Sequence, residues 1–306
     1  MGHYYLCMEV GGTNLRYGVV DEAYQLLEFE KISTEGLSDA ADKGEYIENL
    51  LHPFVKKYGK EKIICLTLSL ASLMDRDRTI CYSSPNIRGF DNLPLKSVLE
   101  KQMGLPVCME RDANTSLLYE MWKNDLPKEG ILAGIFIGTG IGNAMCIDGN
   151  IYTGSTGSSC ELGHISIPGW DEMCGCGKKG CIALHGCGKV LAQIAQEQYH
   201  CPVQEIFIKH GEAPEVKDIV RMCAFAAAAE VTILDPTAVV LGGGVTEMEG
   251  FPLRFFTDTV RENLRAPYPR ETLRIVLASG DPEAGIVGAA IHASKILKKM
   301  TIKSNK

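Results

Sequence analysis

An apolar run, a glycine-rich turn and a second apolar run occur twice in this chain, and that duplication limits the fold more than any other feature. Residues 4–10 end at Gly11-Gly12, and residues 15–20 resume the apolar pattern. Residues 131–137 end at Gly138-Thr139-Gly140-Ile141-Gly142, and residues 143–147 resume it again. Taken once, strand–glycine–strand is ordinary hairpin chemistry. Taken twice, with helical segments between and after, it predicts two related α/β halves facing each other across a cleft.

The intervening pattern fits that layout. Residues 25–32 extend the first hairpin into a meander. Residues 40–58 place Ile47, Leu50, Leu51, Phe54 and Val55 at helical spacing, and residues 62–70 form a strand rich in Ile, Leu and Thr. A helix over 95–103 stops at Gly104, a short strand covers 106–110, and a helix covers 113–123. Residues 152–188 are dense in Gly and Cys without periodicity and read as loop. Helices are expected over 189–198, 216–234, 252–264 and 284–298, and strands over 238–241 and 274–278. The apolar run 224–229 suits either a core or a homodimer surface.

Length and charge then exclude whole classes. A chain of 306 residues suffices for two cores. Its net charge of −7 and its lack of a Lys/Arg block argue against nucleic acid as a partner. No stretch reaches the roughly 20 apolar residues of a membrane span. Residues 3–10 have no basic lead, and Glu9 interrupts them, so no export signal is read and a cytoplasmic protein is expected. The twelve cysteines are then expected as thiols or metal ligands, because disulfides are rare in that compartment.

Four of the chain's side chains carry a metal pattern. His164 with Cys174-x-Cys176-x4-Cys181 supplies three thiolates and an imidazole, the ligand set of a closed, structural zinc site. Glycines at 175, 177 and 180 allow the loop to fold around one ion. Gly11, Gly12, Thr13 and Asn14, then Gly138, Thr139, Gly140, Ile141 and Gly142, then Gly242, Gly243 and Gly244 each follow a strand. Their backbone N–H groups can approach phosphate oxygens closely, which suggests a nucleotide cleft. None has the spacing of a P-loop. In Glu110-Arg111-Asp112-Ala113-Asn114 a strand gives way to a helix. Asp112 there is either the helix N-cap or the base that takes a proton from an attacking hydroxyl in phosphoryl transfer.

Together these motifs resemble the ROK family (repressors, open reading frames and sugar kinases), whose fold is that of the actin-like, ribonuclease H-like ATPases with two α/β domains and a cleft between them. The likeness covers nearly the whole chain through Glu9-Val-Gly-Gly-Thr13, Glu110-Arg-Asp-Ala-Asn114, Gly138-Thr-Gly-Ile-Gly142, Gly157-x3-Glu161-Leu-Gly-His164, Cys174-x-Cys-Gly-x2-Gly-Cys181 and Leu241-Gly-Gly-Gly-Val245. It implies a small domain over 1–115, on which a helix at 293–306 packs back, and a larger domain over 116–292 with the zinc loop. It implies ATP with Mg²⁺ and structural Zn²⁺ as cofactors, a sugar as substrate, and transfer of phosphate to the sugar 6-hydroxyl.

By the same resemblance Asp112 is the base. Asn86, Arg111, Glu161 and His164 contact the sugar, and Glu9 orients the Mg²⁺ indirectly. The three glycine turns hold ATP. Within the family the likeness is to its D-allose kinases, through Arg111 and the stretches 79–86, 234–245 and 248–252; N-acetylmannosamine or glucose are the alternative substrates. Three positions depart from the pattern. Glu9 stands for an aspartate, Ala183 for a glutamate at the anomeric end of the sugar, and Ala71-Ser72 for a glycine. A sugar-binding sensor on the same scaffold is therefore the rival of a different class.

Overall fold

The computed structural model describes residues 2–85 and 87–304, with side chains described as far as Lys299. Asn86, one of the expected sugar contacts, lies outside the described residues. The chain forms two compact units, Met1–Asp125 with Thr153–Ser159 and Asp281–Lys306, and Leu126–Tyr152 with Cys160–Gly280.

The first unit opens with strands β1 (Tyr4–Val10), β2 (Asn14–Asp21) and β3 (Leu26–Ser33), followed by the short helix α1 (Glu35–Asp39). Helix α2 (Lys43–Tyr58) starts where the Asp42 carboxylate accepts the Glu45 N–H at 3.0 Å, satisfying one of the orphan amides of its first turn. It buries Ile47 and Leu51 one turn apart and ends at Gly59. Strand β4 (Ile63–Leu70) follows, then a small ribbon of β5 (Leu73–Met74) and β6 (Cys81–Ser83). Helix α3 (Leu95–Met103) buries Leu95, Leu99 and Met103 and stops at Gly104 in the left-handed conformation. Strand β7 (Val107–Arg111) runs straight into helix α4 (Asp112–Lys123).

The sheet order is β3-β2-β1-β4-β7. β1 pairs antiparallel with β2 and parallel with β4, and β4 pairs parallel with β7. Register places Val10 beside Leu70, and Leu70 beside Arg111. Three strands therefore end in line, and the residues that follow them, Gly11, Ala71 and Asp112, share one sheet edge. In open α/β sheets ligands bind at the carboxyl ends of the strands.

The second unit repeats this plan. Strands β8 (Ile131–Ile137), β9 (Ile141–Ile147) and β10 (Asn150–Ile151) form the meander. Helices α5 (Gly188–Glu197), α6 (Ile206–His210) and α7 (Pro214–Leu234) precede β11 (Ala238–Gly242), helix α8 (Leu253–Glu262) and β12 (Ile275–Leu277). The order β10-β9-β8-β11-β12 is that of the first sheet, with β8, β11 and β12 parallel. Proline at its first position starts α7, and Asp235 in the left-handed conformation ends it. Ala224, Ala226, Ala227 and Ala228 lie in the core of this unit while Phe225 remains exposed, so the 224–229 run is mostly core.

The chain then returns to the first unit as α9 (Ala284–Ser304), which packs on α4, β1 and β4. The Thr67 hydroxyl donates to the Ala289 carbonyl at 3.0 Å. The α/β architecture is as expected, but its borders differ. A boundary at 115/116 would cut α4, whose Leu117, Leu118, Tyr119 and Met121 are buried on the side of the first unit. The division falls after Asp125, and the returning helix begins at Ala284 and not at 293. No described helix is long and apolar enough to cross a membrane.

Candidate active site and metal centre

In the first unit, Arg111 takes the N-cap place and Asp112 is the first residue of α4. Asp112 thus stands one residue inside the cap. Its Oδ1 accepts the Ala113 N–H at 2.8 Å, at a helix end where aligned amide dipoles favour negative charge. Behind it the Glu110 carboxylate is 1 % exposed, which would be costly without partners. Oε1 accepts from the Arg111 N–H at 2.8 Å, Asn114 Nδ2 at 2.9 Å and Arg78 Nε at 2.9 Å. Oε2 faces His292 Nε2 of α9 at 3.9 Å. Burial, above all, holds His292 below the usual imidazole range, against the pull of Glu110. Arg111 directs its Nη1 to the Ser159 carbonyl.

At the β1–β2 turn the Gly11 N–H donates to the Asn14 carbonyl at 3.0 Å, and the Thr34 hydroxyl donates to the Gly11 carbonyl at 2.8 Å. Glu9 is not left to a cation alone: Arg16, its partner across the β1–β2 ladder, reaches Oε2 with Nη1 at 2.7 Å. Ser72 is buried with its hydroxyl 2.5 Å from that of Ser84.

In the second unit the other two glycine turns come together. Gly188 N–H, at the start of α5, donates to the Gly138 carbonyl at 2.8 Å, and Val245 N–H donates to the Ile137 carbonyl at 2.9 Å. Gly243 has φ 96°, and a Cβ there would lie 2.6 Å from the Ile137 carbonyl oxygen, so this crossing requires glycine. Gly138, Gly140 and Gly244 have open space where a side chain would be, leaving their backbone accessible.

The expected metal ligands converge. The ligating atoms of His164, Cys174, Cys176 and Cys181 all lie within 4.8 Å of one another. Cys174 Sγ is 3.6 Å from His164 Nδ1, and Cys176 Sγ is 3.6 Å from Cys181 Sγ. Tetrahedral zinc at the usual bond length sets sulfurs about 3.8 Å apart, so the four fit that ion. Turn hydrogen bonds, Gly177 N–H to Cys174 O and Cys174 N–H to Lys178 O, shape the loop. Burial and then the neighbouring thiols push the Cys181 thiol up to about 12. Burial also pushes up Cys176, but the Lys178 amide and the other two thiols outweigh it and hold Cys176 below the ordinary value. With Nδ1 turned to the sulfurs, His164 points Nε2 at Glu161 Oε2, 3.8 Å away.

This layout invites comparison with known proteins. The ROK family model matches residues 5–296. The chain belongs to the ROK family. It is one of the family's sugar kinases, matched over nearly its full length by proteins of that kind. The N-acetyl-D-glucosamine kinase of Vibrio cholerae is 28 % identical, covering 94 % of this chain and 98 % of its own. That of Photobacterium profundum is 30 % identical over 80 % and 85 %. Among solved structures, a ROK hexokinase from Thermus thermophilus superposes with a TM-score of 0.78 at 27 % identity, covering 97 % of this chain and 99 % of that one. Within this ROK chain the motifs did not disclose Arg78, His292 or Arg16. Arg78 lies in a run, Asp75-Arg76-Asp77-Arg78, that reads as an exposed turn.

Proposed function

We propose that this chain transfers the γ-phosphoryl group of ATP to the 6-hydroxyl of a hexose. The observation that carries the reading is Asp112, placed at a strand-to-helix junction on the same sheet edge as the Gly11–Asn14 turn. Asp112 takes the hydroxyl proton as the sugar oxygen attacks phosphorus and the bond to the ADP oxygen breaks. Backbone amides of Gly11 to Asn14, Gly138 to Gly142 and Gly242 to Gly244 bind the nucleotide. Bound Mg²⁺ would supply charge neutralisation of the phosphates, and Glu9, paired with Arg16, would help orient it.

Glu161 and His164 bind sugar hydroxyls. A zinc ion held by Cys174, Cys176, Cys181 and His164 Nδ1 would fix the imidazole so that Nε2 keeps its proton and donates. Asn86 and Arg111 complete the sugar contacts in this reading; the Arg111 guanidinium also holds the Ser159 carbonyl.

D-Allose is the substrate we propose, from the likeness around Arg111. N-Acetyl-D-glucosamine is the second reading, supported by the names of the Vibrio and Photobacterium relatives. Ala183 bears on both: its Cβ would sit 3.3 Å from one on Gly163, between Glu161 and His164, and it offers the sugar no polar group. The test is coupled ADP release with D-allose, D-glucose, N-acetyl-D-glucosamine and N-acetyl-D-mannosamine. D-Allose should give the highest kcat/KM. A higher value for an N-acetylated sugar would replace it. Sugar binding with no turnover on any of the four would make the chain a sensor and refute the kinase reading.

A further inference from the structure

We infer that Arg78 is a positioning residue that sets Asp112 and the segment Thr153–Ser159 through a single buried guanidinium. The inference rests on Asp112 being the base. Arg78 is 7 % exposed, and its Nε binds Glu110 Oε1 at 2.9 Å. That same oxygen accepts from the Arg111 amide and from Asn114 Nδ2, which bracket Asp112 in sequence. Arg78 Nη1 donates to the Asp75 carbonyl at 3.0 Å and to the Gly157 carbonyl at 3.1 Å. The 153–159 segment leads directly to Glu161 and His164. Its approach is close enough that a Cβ on Gly157, at φ 94°, would lie 2.6 Å from the Met74 carbonyl oxygen.

Two features of Arg78 work against stability. Its φ is 56°, the left-handed region that favours glycine, although it is a long side chain. Its Nη2 is buried without a hydrogen-bond partner among the described residues, although a buried donor left unmade is unfavourable. Strained, incompletely satisfied residues of this kind cluster at functional sites.

The charges around Glu110 explain what the guanidinium does. From α9 comes His292, which burial keeps toward its neutral form. The 75–80 turn brings Arg78 together with Asp75, whose carboxylate is bound by the Thr79 and Ile80 amides and the Thr79 hydroxyl. Arg111 directs its guanidinium to Ser159. Among the described residues, Arg78 thus ties the Glu110 carboxylate, directly behind Asp112, to the Gly157 carbonyl of the 153–159 segment. Without it the oxygen that gathers the Arg111 amide and Asn114 Nδ2 loses its third donor, and the junction that carries Asp112 shifts from its productive position.

The test compares Arg78→Gly, which relieves the backbone and deletes the guanidinium, with Arg78→Lys, which keeps the charge but not the fork. Both are assayed with ATP–Mg²⁺ and the best hexose of the panel. Arg78→Gly should lower kcat at least tenfold while leaving the KM for ATP within twofold. Arg78→Lys, which can still donate to Glu110 from one point, should restore part of kcat. An Arg78→Gly enzyme with kcat within twofold overturns the inference, as does a loss in which the KM for ATP rises as much as kcat falls. Should the glycine variant not fold, Arg78→Met decides: a kcat within twofold of wild type overturns the inference, and a lowered kcat at unchanged KM for ATP supports it. A null result here leaves the base assignment standing, whereas normal turnover by Asp112→Asn would remove that assignment itself.

Discussion

Glu110 organises the junction at which Asp112 stands: one carboxylate oxygen gathers the Arg111 amide, Asn114 and Arg78. His292 closes the far side, and it makes fold stability depend on pH. Burial holds its folded pKa below the unfolded value. The unfolded chain therefore takes up a proton that the native state resists, so the contribution is complete above the ordinary imidazole pKa and is lost as pH falls below it. The slope from one such group reaches at most about 1.4 kcal/mol per pH unit. Thermal midpoints of the wild type should fall more between pH 7.5 and pH 5.5 than those of His292→Asn; equal falls would remove His292 as the source. Asp112, Glu161 and His164 stand out in the sequence as candidates because each sits in a motif with its own spacing. Arg78 and His292 are not, since a charged turn and a histidine in a helix look the same whether buried or solvated until the chain is folded.

The element with the most to lose is the loop from Glu161 to Cys181, which has few regular hydrogen bonds of its own. Two isolated bridges, Ser166 to Cys181 and Met173 to Lys179, join turn hydrogen bonds such as Ile167 N–H to the Gly180 carbonyl and the Cys–His cluster in gathering it. Purified protein should carry about one zinc per chain by elemental analysis. Chelation should raise the KM for sugar, because His164 then loses its fixed orientation, and Cys176→Ser should do the same. Metal-free protein with an unchanged sugar KM would contradict this account of the loop. The ligand spacing is readable in the sequence; the choice of Nδ1 for the sulfurs and Nε2 for Glu161 is not, because it depends on how the ring turns. The β5–β6 ribbon also escapes sequence reading, since strands of two and three residues are too short to show a period.

At the scale of the whole molecule, two five-stranded sheets share one strand order, and the repeated hairpin with its glycine turn carries that plan openly in the sequence. The borders of the units are not legible there. The chain crosses from one to the other several times, at Asp125, around Thr153–Ser159 and at Asp281, and hydropathy carries no mark of where a segment returns to an earlier sheet. Each sheet presents its loops at the carboxyl ends of parallel strands, the first with Asp112 and the Gly11 turn, the second with the Gly138 and Gly243 turns. The reaction assigned to those loops depends on one carboxylate. Turnover by Asp112→Asn, measured beside its binding of ATP and sugar, is therefore the most direct measurement. The account predicts a fall in kcat of about 10²–10⁴-fold with both ligands still bound; turnover within a few-fold of wild type would contradict it.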